Sequence, residues 1–103
     1  MKLRGKQKRY LRARANHLQP IFAVGKGGLT QSWLNQLAGA LDRRELIKVN
    51  ILQNADVDTA ELKAFIENHT DIQVIQTIGR VLVLFKVSAN KDLRELSNRV
   101  ARI

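Results

Sequence analysis

The run from Val81 to Phe85 constrains the fold of this 103-residue chain most strongly, because all of its residues are apolar. A strand with apolar side chains on both faces needs cover from two sides, so it belongs in the interior of a sheet. Gly79 separates the strand over residues 80–87 from residues 72–78, which also have a strand pattern, and so short a connection predicts a hairpin. We therefore expect a sheet with this last strand inside it.

Helix-like and strand-like patterns alternate along the rest of the chain. Apolar spacing and favourable N-caps predict three helices: residues 3–17, Thr30 to about Asp42, and Asp58 or Thr59 to about His69. Short apolar or alternating stretches predict two more strands, over residues 21–24 and 45–52. Alternation of this kind favours right-handed crossovers and parallel neighbours, to which the hairpin adds an antiparallel strand. The predicted fold class is α/β, in an α+β two-layer arrangement of order α-β-α-β-α-β-β with a mixed four-stranded sheet.

Length and composition indicate a single domain. Apolar residues make up 45% of the sequence, which is enough for a core, and a chain of this length is too short for two domains. We place the domain at residues 1–87 and treat residues 88–103 as a C-terminal tail, in which Leu93, Leu96 and Val100 have the spacing of a short helix. With no cysteine and two histidines, neither disulfides nor a metal site is expected.

Basic residues are concentrated at the start of the chain. The net charge is +9, and residues 1–41 contain eight basic residues and no acidic one. Such a local excess attracts polyanions through a field that salt screens. A solubility segment is the alternative, although solubility does not require a segment free of acids. No apolar run approaches a membrane span and none follows the basic start as a signal peptide would, so we expect a cytoplasmic protein.

The loop Gly25-Lys26-Gly27-Gly28 lies between a predicted strand and a predicted helix N-terminus, where unpaired N–H groups favour an anion. Glycine lets the backbone approach a phosphate, Lys26 adds positive charge, and the loop matches the G-x-x-G pattern of KH domains. A tight turn without a ligand is an equally good interpretation. A dinucleotide site is weaker: Glu45 has the spacing of a ribose-binding acid, but Thr30 stands where G-x-G-x-x-G needs its third glycine.

The first predicted helix carries Arg4, Lys8 and Arg12 at positions i, i+4 and i+8. Like charges at this spacing repel by roughly a few tenths of a kcal/mol per pair, a cost that a bound polyanion would relieve. This basic face favours the interpretation of the glycine loop as a nucleic-acid clamp.

Four blocks of sequence are distinctive when taken together: residues 3–12 (LRGKQKRYLR), 21–30 (IFAVGKGGLT), 44–49 (RELIKV) and 78–84 (IGRVLVL). Together they resemble the CRM domain, the chloroplast RNA splicing and ribosome maturation family, whose free-standing bacterial members are the YhbY-like proteins. The resemblance covers about residues 1–87. The segment after Val87 looks longer and more helical than the usual end of the family.

The resemblance implies a fold similar to the C-terminal domain of translation initiation factor three, with strand order 1-2-4-3. It also implies binding to ribosomal RNA in precursors of the large ribosomal subunit, with the G-x-x-G loop at the RNA. Related plant domains act in group II intron splicing, and for a single-domain chain the ribosomal role is the one implied. The expected partner is structured RNA, bound by a monomer without cofactor, small-molecule substrate or membrane.

The predicted RNA-binding residues form three groups: Gly25, Lys26, Gly27 and Gly28 as backbone clamp; Arg4, Lys8, Arg9 and Arg12 as phosphate contacts; and Lys48 and Arg80 in a second rank. For the last two, a solvated strand residue is a slightly better interpretation. Trp33 is expected in the core, and Tyr10 either stacks on a base or anchors the first helix. Because aromatic residues are few, we expect recognition of RNA shape and backbone rather than sequence.

Two other classes of function fit the sequence less well. A DNA-binding or nucleoid protein would share the charge argument, but no helix-turn-helix or zinc pattern supports it. An enzyme is not expected, because His17 and His69 stand at predicted helix ends, where a cation suits the helix dipole. The acidic residues form no pair that can be placed in one pocket, so no catalytic residue is predicted.

Overall fold

The computed structural model describes residues 1–103 as four α-helices and one four-stranded sheet. The helices are α1 (Gly5–Ala15), α2 (Gln31–Arg44), α3 (Thr59–His69) and α4 (Glu95–Ala101), and a 3₁₀ turn (Lys91–Leu93) precedes α4. The strands are β1 (Pro20–Val24), β2 (Leu46–Ile51), β3 (Gln73–Ile78) and β4 (Val81–Phe85). The predicted helices and strands are confirmed, with ends that shift by one or two residues, as is usual at the termini of elements.

The strand order in the sheet is β1-β2-β4-β3, as the family resemblance implied. β1 runs parallel to β2, to which it connects through α2. β4 pairs antiparallel with β2 on one side and with β3 on the other. Gly79, with φ of 57°, makes the tight turn between β3 and β4. The wholly apolar strand β4 is therefore interior, as its sequence predicted.

One face of the sheet packs against α2 and α3. Alternate residues of β2 and β4 point to this face and join the two helices in a core of 14 buried residues: Val24, Trp33, Leu34, Leu37, Ala40, Leu41, Ile47, Val49, Ile51, Leu62, Ile66, Ile72, Leu82 and Leu84. The indole N–H of Trp33 donates to the carbonyl oxygen of Ala23 at 2.9 Å, so its one polar atom is satisfied there. The core position predicted for Trp33 is confirmed.

The opposite face is covered at one end only. There α1 and α4 bury a second core with the sheet: Leu3, Leu11, Ala15, Leu46, Ile75, Val83, Phe85 and Val100. Toward the other end, Lys48 and Asn50 follow Leu46 on the same face and are half-buried, and Ala23 is exposed. We call Ala23, Lys48, Asn50 and Val81 the open sheet surface. The predicted two-layer arrangement holds there, and α1 and α4 add a third layer where the face is apolar.

Local interactions fix both ends of α2. The hydroxyl of Thr30 accepts the N–H of Trp33 at 3.1 Å, which makes Thr30 the N-cap, as predicted. At the other end, Glu45 has a left-handed φ of 63°, and its N–H donates to the carbonyl oxygen of Leu41. This conformation ends the helix but is unfavourable for a residue with a side chain, so other contacts of Glu45 must hold it.

Those contacts are made by the carboxylate of Glu45, which connects α2 to the C-terminal segment. The residue is only 1% exposed, and its two oxygens accept the N–H of Ser88 at 2.7 Å and the N–H of Ser97 at 2.9 Å. Ser97 lies in the first turn of α4, where backbone N–H groups lack partners within the helix. The buried carboxylate therefore caps α4 and holds residues 88–103 against the rest of the fold.

Asp42, on the last turns of α2, holds the same segment. Its carboxylate accepts hydrogen bonds from the ammonium group of Lys86 at 2.5 Å and from the N–H of Ala89 at 2.9 Å. Burial acts to raise the pKa of Asp42, but the hydrogen bonds from Lys86 and Ala89 and the charge of Lys86 outweigh it and hold the pKa below its usual value.

We expect the stabilisation by Asp42 to disappear in acid. A carboxyl whose pKa is lowered on folding stabilises the fold above its unfolded pKa of about 4, and this contribution is lost as the pH falls through the folded pKa. Asp42→Asn should therefore lower the free energy of unfolding by about 1 kcal/mol at neutral pH. In urea unfolding at about pH 3, the difference from wild type should be smaller. A difference that stays constant with pH would contradict this account.

Candidate nucleic-acid interface

The loop Gly25–Gly28 is a tight turn that presents its middle residues to solvent. The N–H of Gly28 donates to the carbonyl oxygen of Gly25 at 3.2 Å, which closes the turn. Gly27 has a φ of 72°, a conformation that side chains disfavour. Lys26 and Gly27 are exposed at the tip. The four residues therefore form a tight turn between strand and helix, and the tip of this turn is exposed to solvent, where a ligand can reach it.

Packing adds a second reason for glycine in this loop. A Cβ atom at Gly28 would lie 2.4 Å from Cγ2 of the buried Val24 and 2.9 Å from the carbonyl oxygen of Gly25. At Gly27 a Cβ atom would meet nothing within 4 Å, so only its backbone conformation calls for glycine. Gly28 therefore sets the close packing of the turn on β1, and Gly27 sets the shape of its tip.

Backbone donors are available at the tip. The N–H groups of Lys26, Gly27 and Leu29 donate to no acceptor within the chain. Unpaired N–H groups and an ammonium side chain in one exposed turn form a positive site without a built-in counter-ion, which suits a phosphate oxygen. The turn leads directly into Thr30 and the N-terminus of α2, whose dipole adds to the same field.

Arg80 lies at the same end of the sheet as this loop. Its Nε donates to the carbonyl oxygen of Ile51 at 3.2 Å and its Nη2 to that of Leu52 at 2.7 Å. The N–H of Leu52 in turn donates to the carbonyl oxygen of Val24, just before the loop. Arg80 is therefore more than a solvated strand residue: it braces the segment beside the loop, and its remaining N–H donors face solvent.

Helix α1 has two distinct flanks. Gln7 donates from Nε2 to the carbonyl oxygen of Val100 at 3.1 Å, which places one flank against α4. Tyr10 lies on that flank: burial acts to raise its pKa, but hydrogen bonds from Arg99 and Arg14 outweigh burial and lower it. With about 3.6 residues per turn, Lys8 and Arg12 occupy the opposite flank, away from α4.

Helix α1 lies across the sheet with Leu11 and Ala15 buried beneath it, at the end that carries Leu46 and Phe85. Lys48 stands in the open sheet surface, opposite Val83 of β4. Lys48 therefore lies on the sheet face that α1 partly covers, and the loop and Arg80 lie at the end of the sheet that α1 leaves open. That these residues form one RNA-binding surface stays a prediction.

Two of the predicted residues lie apart from this surface. Arg9 is exposed on the side of α1 that faces away from the sheet. Arg4 stands at the start of α1, and its guanidinium donates to the carbonyl oxygen of Ile103, so it links the first helix to the C-terminal segment. The ring of Tyr10 packs against the second core, and its hydroxyl accepts a hydrogen bond from Arg14 of the same helix at 3.0 Å, so Tyr10 anchors α1, the second of its two predicted roles.

Some residues of interest gave no clear signal in the sequence. The spacing of Glu45 suits a ribose-binding acid, but its carboxylate is buried and accepts hydrogen bonds from two backbone N–H groups. Arg43 and Arg44 look like ordinary basic residues at a helix C-terminus, yet they border the largest concavity of the protein. The sequence predicts the crossover from β1 through α2, but it does not show that these two arginines meet β1 across a concavity. None of the helices is both long and apolar enough to cross a membrane.

Comparison with known proteins agrees with this fold. A model of the CRS1/YhbY (CRM) domain matches residues 3–86. The Bacillus subtilis protein named "Probable RNA-binding protein YqeI" is 47% identical over 94 residues, which cover 91% of this chain and 98% of the relative. A Haemophilus influenzae protein named "RNA-binding protein" is 40% identical over 90 residues, which cover 86% of this chain and 90% of the relative.

Among solved structures, the solution structure of a Staphylococcus aureus protein described as a candidate RNA-binding protein is similar to this fold. Its TM-score is 0.69 at 41% sequence identity, with 87% of this chain and 94% of that chain covered. Taken with the family match over residues 3–86, the strand order and the glycine loop, these similarities show that the chain belongs to the CRS1/YhbY (CRM) domain family.

Proposed function

We propose that this chain binds structured RNA through its phosphate backbone, that the RNA is ribosomal RNA in precursors of the large ribosomal subunit, and that the protein assists their assembly. The observation that carries the proposal is the exposed loop tip, where Lys26 and the free N–H groups of Lys26 and Gly27 lie together. Relatives named as RNA-binding proteins support RNA over other polyanions. Membership of the CRM family supports the ribosomal role.

The shape of the surface suits an RNA backbone. β2 runs from the α1 end of the sheet to the loop end, and a strand of this length spans roughly 20 Å. Lys48 lies on β2 between Leu46, which packs under α1, and Ile51, which lies beside the loop end of β1. An RNA that contacts Lys26 can therefore extend along the open sheet surface and meet the basic flank of α1 with successive phosphates.

The same surface supports recognition of the backbone rather than of bases. Sheets that read single-stranded RNA carry exposed aromatic residues on which bases stack. Ala23, Lys48, Asn50 and Val81 are the residues of the open sheet surface, and none is aromatic. In this proposal the protein acts as a monomer in the cytoplasm, where it meets the precursor particles, and it has no catalytic step.

Charge reversal at the loop tip tests the proposal. Lys26→Glu should weaken binding to a structured ribosomal RNA fragment by about tenfold or more, because it removes one phosphate contact and adds repulsion. Fluorescence anisotropy at two salt concentrations measures the affinity, with duplex DNA as competitor. Lys63→Glu is the matched control, since it makes the same charge change at an exposed site on α3, outside the predicted binding set.

Sedimentation of a cell lysate on a sucrose gradient tests the ribosomal part separately. Wild-type protein should sediment with precursors of the large subunit at low salt, and the Lys26→Glu variant should stay at the top. Equal affinity of the Lys26→Glu and Lys63→Glu variants would contradict a role of the loop. Tighter binding to DNA than to RNA would favour a nucleoid protein, and wild-type protein at the top of the gradient at every salt concentration would contradict a ribosomal role.

A further inference from the structure

The largest concavity of the protein lies outside the surface described above, between α2 and the edge strand β1. It has a volume of about 580 Å³ and is lined by Ile21, Phe22, Gln36, Gly39, Ala40, Arg43 and Arg44. None of these residues belongs to the proposed backbone-binding surface. A volume of this size is within the range of sites that hold small organic groups.

The β1 side of this groove is apolar and aromatic. Phe22 is half-buried and its ring lies 5.5 Å from that of Trp33, at 54°, so the core fixes its orientation. Ile21 is 48% exposed, which is unusual for so large an apolar side chain. Together these two side chains form an apolar surface on which a flat apolar group can pack.

The α2 side of the groove is basic and polar. The two ion pairs of the protein join Lys86 to Asp42 and Arg99 to Glu95, so Arg43 and Arg44 have no carboxylate partner. No acidic residue lines the groove, and Gln36 on the same wall keeps its amide free for a ligand. Unpaired guanidinium groups beside an apolar floor suit a ligand that joins an anion to a flat ring.

Gly39 keeps the groove open. Glycine in the middle of a helix is less favourable than alanine, so it calls for a reason. A Cβ atom at Gly39 would meet nothing within 4 Å, which shows that packing within the fold does not require glycine there. Because Gly39 lines the groove, any side chain at this position would stand in the space between α2 and β1.

We propose that this groove binds one unpaired nucleotide of the RNA. The base packs on Phe22 and Ile21, the amide of Gln36 meets its edge, and the flanking phosphates meet Arg43 and Arg44. Bases stack readily on aromatic side chains, and guanidinium groups are the strongest side-chain partners of phosphate. The inference rests on the proposed function and narrows its substrate to structured RNA that carries a bulged or looped-out nucleotide.

An acidic peptide added as a strand to β1 is the competing occupant. β1 is an edge strand, and extended peptides bind such edges through backbone hydrogen bonds. This strand is short, and it begins at Pro20, which has no N–H to donate. A nucleotide uses the aromatic ring, the free amide and both arginines, so the observations favour it.

Two RNAs that differ by a single bulged nucleotide test the inference. In fluorescence anisotropy, wild-type protein should bind the bulged hairpin about tenfold more tightly than the fully paired one. Gly39→Leu should abolish this preference and leave the affinity for the paired hairpin unchanged. Ala64→Leu, at an exposed position of α3, is the matched control for an added surface leucine and should keep the preference.

A stability measurement separates a blocked groove from a misfolded protein. Because leucine is a better helix former than glycine, Gly39→Leu should lower the equilibrium constant of unfolding by about threefold. Loss of the preference in a variant that is more stable than wild type therefore supports a ligand in the groove. This increase in stability is opposite to the decrease expected if the added side chain damaged the fold.

The outcomes that would overturn the inference are distinct from failure of the proposed function. Equal wild-type affinity for the two hairpins, or a preference retained by Gly39→Leu, would show that the groove does not hold a nucleotide. If wild-type protein binds a labelled acidic pentapeptide, and Gly39→Leu loses this binding but keeps the RNA preference, the groove would be assigned to a peptide instead. No binding of either hairpin by wild-type protein would contradict RNA binding itself.

Discussion

Removal of the Glu45 carboxylate is expected to lower the free energy of unfolding by about 3 kcal/mol and to detach α4 from the domain. Glu45→Ala leaves the N–H groups of Ser88 and Ser97 buried without an acceptor. A hydrogen bond to a charged group contributes about 1.5–3 kcal/mol, and an unsatisfied buried donor adds a penalty of its own. Part of this cost is avoided when α4 separates and water reaches the freed donors.

Two further variants separate the effect of the strained backbone on stability from the effect of the lost carboxylate. Glu45→Gly relieves the left-handed φ of 63° but also loses the acceptor, so it should be less destabilised than Glu45→Ala by about 1 kcal/mol. Glu45→Gln keeps one acceptor oxygen and turns the other into a donor that faces an N–H group. Urea unfolding gives the free energies, and hydrogen exchange of the α4 amides shows whether the helix separates first. Unchanged exchange of α4 in Glu45→Ala would contradict the capping role.

The second large effect is expected from the basic flank of α1. Lys8→Gln with Arg12→Gln should weaken RNA binding at low salt by about 10- to 100-fold, since two phosphate contacts are lost. The slope of log affinity against log salt should become shallower by roughly 1.4 to 1.8, which is about 0.7 to 0.9 for each contact. Affinity measured over a salt series gives both quantities in one experiment.

Lys63→Gln with Lys91→Gln is the matched control for this variant. It removes the same charge from exposed positions on α3 and in the 3₁₀ turn, neither of which borders the open sheet surface. If binding depended on net charge alone, both double variants would lose the same affinity. Equal salt slopes for the two would therefore rule out the flank of α1 as a specific part of the interface.

The two effects are connected through α4. Gln7 of α1 donates to the carbonyl oxygen of Val100 in α4, and both helices share the second core. The position of α4 depends on Glu45, so the carboxylate also helps to orient the helix that carries Lys8 and Arg12. We accordingly expect the C-terminal segment to support the proposed binding surface.

Much of the candidate site could be predicted from sequence because it is local. The loop Gly25–Gly28, its exposed lysine and the N-cap at Thr30 all follow from residues within a few positions of one another. Whether Lys8 and Arg9 share a surface depends on which flank of α1 meets α4, and this contact joins distant parts of the chain. The sequence therefore predicts the same role for Lys8 and Arg9, and only the structure shows that they face different directions.

The sequence by itself determined the secondary structure, the interior place of β4 and the basic character of the first helix, because periodicity and charge are properties of neighbouring residues. Tertiary structure alone decided what Glu45 does, since its partners Ser88 and Ser97 are more than 40 residues away. It also decided that α2 and β1 enclose a groove beside Gly39. Contacts between distant segments depend on the crossover and on packing, and no local pattern encodes them.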